Sequence, residues 1–149
     1  MLMNLFKFKG GVKPPTNKTQ SVTLPIAQAP LPSRLVVPLH QSIGGVPQPV
    51  VQAGDKVLKG QLIGAADGWI SAAVHAPTSG TVLEVAMHVQ PHPSGLDALC
   101  VVIEPDGRDE WIAREALDYR SLPPEQVREH LQRAGVVGLG GAVFPPTAS

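Results

Sequence analysis

The sequence predicts a mainly β protein, a small sandwich or barrel of short strands with an extended N-terminal arm and one short C-terminal helix. Three observations carry that reading. Runs rich in β-branched residues recur through residues 34–104 at a spacing of roughly 8–12 residues, each cut by turn formers. Gly and Pro together account for 31 of the 149 residues, which suits tight turns yet falls short of the ~25–30% typical of low-complexity chain. Leu, Ile, Val and Phe supply 42 residues, 28% of the chain, above the ~20% below which a chain cannot bury enough apolar surface to fold.

Taken in order, residues 1–33 are punctuated by Gly10-Gly11, Pro14-Pro15, Pro25, Pro30 and Pro32, which oppose a helix. They read as an extended arm with one short strand around Ser21–Leu24. Strands are predicted at Leu35–Leu39, Pro49–Gln52, Gln61–Ala65, Ile70–His75, Gly80–Val89 and Ala98–Ile103. Asp109–Ala116 reads as a short helix, with Trp111, Ile112 and Leu117 able to share one side. Pro123 to Gly135 is a stronger helix. Proline suits its start, Glu125 lies in the first turn, Val127 and Leu131 are four apart, Arg133 lies in the last turn, and Gly135 can take the left-handed stop. The organisation is thus an arm over 1–33, a β domain over 34–104, and a linker with a helix and a glycine-rich segment over 105–149.

Composition excludes several classes. The single cysteine, Cys100, can form no internal disulfide and cannot hold an iron–sulfur cluster, which takes about four thiolates. No run of ~18 apolar residues is present to span a membrane, and the first residues lack the features of a secretory signal. Net charge is zero but asymmetric: residues 1–60 carry +6 and residues 61–149 carry −6, with every lysine at or before Lys59. The basic half, notably Lys7, Lys9, Lys13 and Lys18, is a candidate docking edge for an acidic partner or membrane surface. Six aromatics, none interleaved with basic clusters, argue against nucleic acid as a partner.

Several residues invite sharper readings that the pattern does not sustain. His88 and His92 are four apart but sit in a proline-bounded segment, short of the about four ligands of a closed zinc site. Cys100, within Leu99–Ile103, is expected to be a small buried hydrophobe, and His75 to pack or hydrogen-bond structurally. Asp55 is expected to bond nearby backbone amides. Asp106, Asp109 and Glu110 read as a solvated acidic surface. No paired-carboxylate arrangement supports catalysis, so no catalytic residue and no metal site is assigned.

The segment Val50–Gly64 places Gly54-Asp55 at one turn and Gly60 five residues after Asp55; His75-Ala76-Pro77-Thr78-Ser79-Gly80-Thr81-Val82 then supplies another turn, where Gly80 is expected to provide positive φ. This combination resembles the barrel-sandwich hybrid shared by biotinyl and lipoyl carrier domains, over about residues 35–103. In such carriers the prosthetic group is attached to a lysine at the exposed hairpin between the two motifs. Here that stretch is Ala65-Ala66-Asp67-Gly68-Trp69-Ile70-Ser71-Ala72, without a lysine, so a swinging arm has no attachment point. Trp69 is expected to cover the domain's own core. The alternative is a free-standing biotinyl- or lipoyl-like domain acting as a binding module; a free-standing acyl or biotin carrier would show an adduct on Lys56 or Lys59.

Gly138, Gly140 and Gly141 would let backbone N–H groups approach a phosphate or flat cofactor. Their spacing, after a helix, does not meet the dinucleotide fingerprint. Five motifs in register go further: Phe8-Lys9-Gly10-Gly11-Val12-Lys13-Pro14-Pro15 with Lys18-Thr19; Gln41-x-Ile43-Gly44; Gly54-Asp55-Lys56-Val57-x-x-Gly60-Gln61; Val74–Val82; and Gly135–Pro145. Together they resemble the N-terminal part of the RnfC family, the RnfC component of the Rnf/Rsx ion-translocating electron-transport complex, across essentially the whole chain.

That resemblance implies a peripheral component on the cytoplasmic face of the membrane, in a complex that passes electrons between ferredoxin and NAD(H) and couples this to ion movement. It implies the other members of the complex as partners, and FMN and 4Fe-4S clusters in the full-length family member. The family loop Gly-x-Gly-Gly-Ala-Gly-Phe-Pro-Thr opens the flavin and nucleotide site, and Gly138, Gly140, Gly141, Ala142 and Phe144 match it. Val143 stands where the family has glycine, and Pro145-Pro146-Thr147 carries one extra proline. The expectation is a truncated or frame-shifted copy or a fragment that binds neither flavin nor cluster by itself, a structural and docking module and not a catalyst.

Overall fold

The computed structural model describes residues 10, 11, 13–141 and 143–145. These divide into two compact units, one ending at Pro30 and one beginning at Leu31. In the first, Lys18–Gln20 forms a single 3-10 turn. The strand expected at Ser21–Leu24 is absent there: the Ser21 hydroxyl donates to the Lys18 carbonyl at 3.0 Å and the Thr23 hydroxyl to the Gln20 carbonyl at 3.1 Å. Short hydroxyl side chains thereby turn their own backbone instead of leaving it to a ladder.

Among its described residues the second unit contains seven strands and one helix: β1 (Leu35–Pro38), β2 (Gln48–Pro49), β3 (Lys56–Val57), β4 (Leu62–Ala65), β5 (Val74–His75), β6 (Gly80–Val89), β7 (Asp97–Pro105) and α1 (Pro124–Arg133). They form two antiparallel sheets, β1-β7-β6-β3 and β2-β4-β5. The mainly β expectation and the barrel-sandwich hybrid are both realised. Between the sheets lie Val37, Leu39, Val57, Ile63, Val74, Ala76, Val82, Val101 and Ile103, with Leu35, Val51, Val85 and Leu99 packed against them. Cys100 through Ile103 are all fully buried, because β7 is an interior strand with β1 on one side and β6 on the other.

The long β6–β7 pairing runs from Gly80 opposite Pro105 to Val89 opposite Asp97, with one bulge between Val82 and Glu84. That bulge turns Leu83 outward, while Val82 stays in the core. Gly80 is not in the left-handed region that the sequence suggested. Its need for glycine is spatial: a Cβ there would overlap the Glu104 carbonyl oxygen and stand 2.9 Å from the Glu104 carbonyl carbon. The predicted strand over 70–75 shrinks to Val74–His75, and Pro49–Gln52 to the pair Gln48–Pro49.

Helix α1 has Pro124 in its first turn, Glu125 near its positive end and Arg133 near its negative end. Gly135 follows at φ 70°, the left-handed stop the sequence predicts. The helix expected at Asp109–Ala116 does not form. Asp109 takes φ 51°, and the backbone from Lys59 pairs with this segment instead, Lys59 N donating to Glu110 O at 2.8 Å and Ile112 N to Lys59 O at 3.1 Å. No helix among the described residues is long and apolar enough to cross a membrane.

Candidate functional site

Where a carrier would display its lysine, the chain between β4 and β5 is a closed loop. Gly45 N donates to Ile70 O at 2.8 Å. The fully buried Ser71 donates its hydroxyl to Gly45 O at 3.0 Å and accepts from Asp67 N at 3.1 Å. Helix α1 then clamps the loop through one side chain. Gln132 Nε2 donates to Gly68 O at 3.1 Å and Ser71 O at 3.0 Å, and its backbone carbonyl accepts from Ala73 N at 3.1 Å. This clamp accounts for the shortened β5, since residues 70–73 bond to the helix and to Gly45 in place of a strand. Trp69 is 71% exposed, so it does not cover the core as expected; it sits at a cleft of about 390 Å³ with Glu125, Arg128, Glu129 and Gln132.

Neither lysine of the carrier alternative occupies this loop. Lys56 lies on β3. The Lys59 ammonium pairs with Asp109 at 2.6 Å and lies 5.0 Å from the centre of the Trp111 ring.

The Ala76–Gly80 motif is built inward. Thr78 and Ser79 are buried, and both are satisfied by the chain that follows β7. Thr78 Oγ1 donates to Asp109 Oδ1 at 3.0 Å, Ser79 Oγ donates to Asp106 Oδ1 at 2.7 Å, and Glu110 N donates to Ser79 Oγ at 2.9 Å. Asp106 and Asp109 lie at the exposed surface that the sequence predicts, and they also anchor this segment through those hydrogen bonds. Hydrogen bonds from Arg108 N and the Ser79 hydroxyl hold Asp106 below the usual carboxylate range. Lys59, and then Thr78, do the same for Asp109.

The remaining singled-out residues have plain roles. Asp55 accepts from Gln52 N at 2.9 Å, as its turn position predicts. Cys100 is fully buried, its thiol 3.3 Å from Ala98 O and 3.1 Å from Gln90 Nε2. His88 faces Glu84 at 3.0 Å and His92 faces Ser94 at 2.8 Å. His75 is half-buried; desolvation lowers its pKa, and a hydrogen bond to the Arg133 backbone opposes this.

The glycine-rich segment folds back on itself beyond α1. Gly138 N donates to Phe144 O at 2.8 Å and Val143 N to Gly140 O at 3.1 Å. Gly138, Gly140 and Gly141 have ordinary φ, and a Cβ at Gly140 or Gly141 would meet nothing within 4 Å. The fold itself therefore gives no steric reason for these glycines. Val143 has the opposite problem, a β-branched residue at φ 50°, where glycine is the residue that costs nothing. Phe144 is half-exposed and Pro145 buried; Ala142 lies outside the described residues. Two amides of the described loop residues, Gly138 N and Val143 N, are spent within the loop.

Comparison with known proteins places this architecture. Residues 6–108 match the RnfC barrel-sandwich hybrid domain. The chain is 46% identical over 146 residues to the RnfC component of an ion-translocating oxidoreductase complex from Serratia proteamaculans, covering 97% of this chain and 20% of that protein. The same-named protein of Pseudomonas aeruginosa is 48% identical over 145 residues, covering 97% and 19%, and that of Haemophilus influenzae 43% identical over 145, covering 97% and 22%. The chain thus spans about a fifth of the length of these relatives. The two-sheet core agrees with this match, and the chain belongs to the RnfC barrel-sandwich hybrid family.

Proposed function

We propose that the chain is the N-terminal structural and docking module of a longer RnfC protein, in a membrane-associated ferredoxin:NAD oxidoreductase coupled to ion translocation. The observation that carries this reading is the hairpin between β4 and β5. It has the position of a carrier's attachment loop, contains no lysine, and is tied to α1 by Gln132. A loop held on both sides suits a rigid mount and not a swinging arm. In this reading residues 34–104 form the mount, the lysines of the arm touch the other members of the complex, and the module lies on the cytoplasmic face, held to the membrane through its partners. Replacing Lys7, Lys9, Lys13 and Lys18 together with Gln is expected to weaken assembly with the membrane components, read by co-purification. Unchanged assembly overturns the docking role of the arm.

Catalysis, NAD(H), FMN and the 4Fe-4S clusters belong, in the same reading, to the intact RnfC protein. Gly138, Gly140, Gly141, Ala142 and Phe144 would contribute one wall of its flavin site, and the spare glycines support that role because the fold does not otherwise require them. The chain alone is expected not to bind FMN. Saturable quenching of FMN fluorescence in the micromolar range would count against this.

A further inference from the structure

Two adjoining clefts of about 490 Å³ each share Gly60, His75 and Ile112. Their charged and titratable lining groups are Lys59, Arg114, Arg133 and His75, with no Asp or Glu among the described residues that line them. That composition runs against its surroundings, since residues 61–149 hold five arginines against eleven carboxylates. Lys59 is neutralised by Asp109. Neither Arg114 nor Arg133 has a carboxylate partner among the described residues.

Trp111 forms a fixed platform in this region. Its flanking backbone is tied to Lys59, and its ring packs so closely over Gly60 that a Cβ there would stand 3.0 Å from it. The Arg114 guanidinium lies 4.4 Å from the ring centre, a cation–aromatic contact that holds the group in place without neutralising it. Between the arginines the floor is apolar, formed by side chains such as Ala76, Pro77 and Ile112.

We propose that this double cleft seats an acidic peptide segment of a protein partner, with carboxylates on Arg114 and Arg133 and an aliphatic side chain on the apolar floor. Separated guanidinium groups match carboxylates spaced along a chain, and guanidinium is the cation best shaped for them. A dense phosphate group fits less well. The helix end at this cleft, marked by Ala134, is the C-terminal end of α1, whose partial negative charge opposes a dense polyanion more than carboxylates spaced along a chain. The seat is formed wholly within the second unit and does not depend on the proposed role in the complex.

The chain contains two tryptophans, so the full chain carrying Trp69→Phe reports on Trp111 alone. Titration with the blocked peptide GDLEDLG, followed by tryptophan emission and by calorimetry, is expected to saturate and to weaken with added salt. The amide peptide GNLQNLG is expected not to bind. The double change Arg114→Gln and Arg133→Gln, checked to melt like the parent, is expected to weaken binding at least about tenfold. No saturable binding, equal binding of the amide peptide, an unaffected double variant, or tighter binding of pyrophosphate than of the peptide overturns the proposal.

Discussion

Replacing Gly80 by Ala adds one carbon at the start of the β6–β7 ladder, where the facing backbone leaves no room for it. The new Cβ would overlap the Glu104 carbonyl oxygen and lie 2.9 Å from the carbonyl carbon and 3.0 Å from Pro105 Cα. All three atoms are backbone, so no side-chain rotation can relieve the contact and the strands must part. Overpacking of this kind costs ~1–3 kcal/mol. Separation also strains the adjacent bond from Asp106 N to Ser79 O, 3.1 Å, adding about 1 kcal/mol if it is lost. A total near 3 kcal/mol corresponds to a fall in Tm of roughly 6–12 °C for a chain of this size. Thermal unfolding by far-UV circular dichroism measures it. Gly140→Ala is the control: φ is ordinary and nothing lies within 4 Å, so Tm is expected to hold or rise slightly through the unfolded state. A Gly80→Ala protein melting within about 2 °C of the parent, or equal losses in both variants, would refute the close-approach reasoning.

Four further outcomes follow from other parts of the structure. His75 has a folded pKa lowered by burial, so the unfolded chain binds its proton more readily; Tm is expected to fall as pH drops below about 6.5, levelling off below the folded pKa, and His75→Gln should flatten that slope. Ser79→Ala removes a buried hydroxyl that serves both Asp106 and the Glu110 amide, at a cost of ~1–3 kcal/mol read by denaturant unfolding. Asp106 and Asp109 have lowered pKa values, so their stabilisation is complete above about pH 4 and is lost as pH falls through the folded values; Ser79→Ala should lessen that acid loss. Val143→Gly relieves a left-handed β-branched residue, a strain of ~1–2 kcal/mol against up to ~1 kcal/mol of added chain entropy. The Gly138 amide, bonded to Phe144 O, should then exchange with solvent more slowly, and faster exchange would contradict the strain.

Strands and helix stops that depend on local pattern were legible in the sequence. β6 spans Gly80–Val89 as read, β7 extends its predicted core by a residue or two at each end, and α1 ends at the glycine that permits it. What escaped was tertiary. The pair Lys56–Val57 is too short to announce itself and is a strand only because Gly80 and Thr81 pair with it. Asp109–Glu110 carries helical composition, but Thr78, Ser79 and Lys59 take its polar groups. The glycine-rich loop was found from motif and spacing. The paired arginines around Trp111 were not, since Lys59, Arg114 and Arg133 lie far apart in sequence and meet only through the Lys59–Trp111 pairing and the return of α1.

The pairing of β1 with β7 also sets an order of events. Leu35 meets Ile103 and Pro38 meets Cys100, so the first strand waits for the last before its ladder can close. Until then β1 has no strand to pair with, while β6 and β7, neighbours in sequence, can pair as soon as both are made. Such distant closure makes for slow folding, on a scale of ~ms to s, and a chain still on the ribosome would expose Leu35, Val36 and Val37 throughout the synthesis of everything between them. The cost of this architecture is thus kinetic: its most vulnerable moment comes before β7 arrives, when chaperone contact with β1 would matter most.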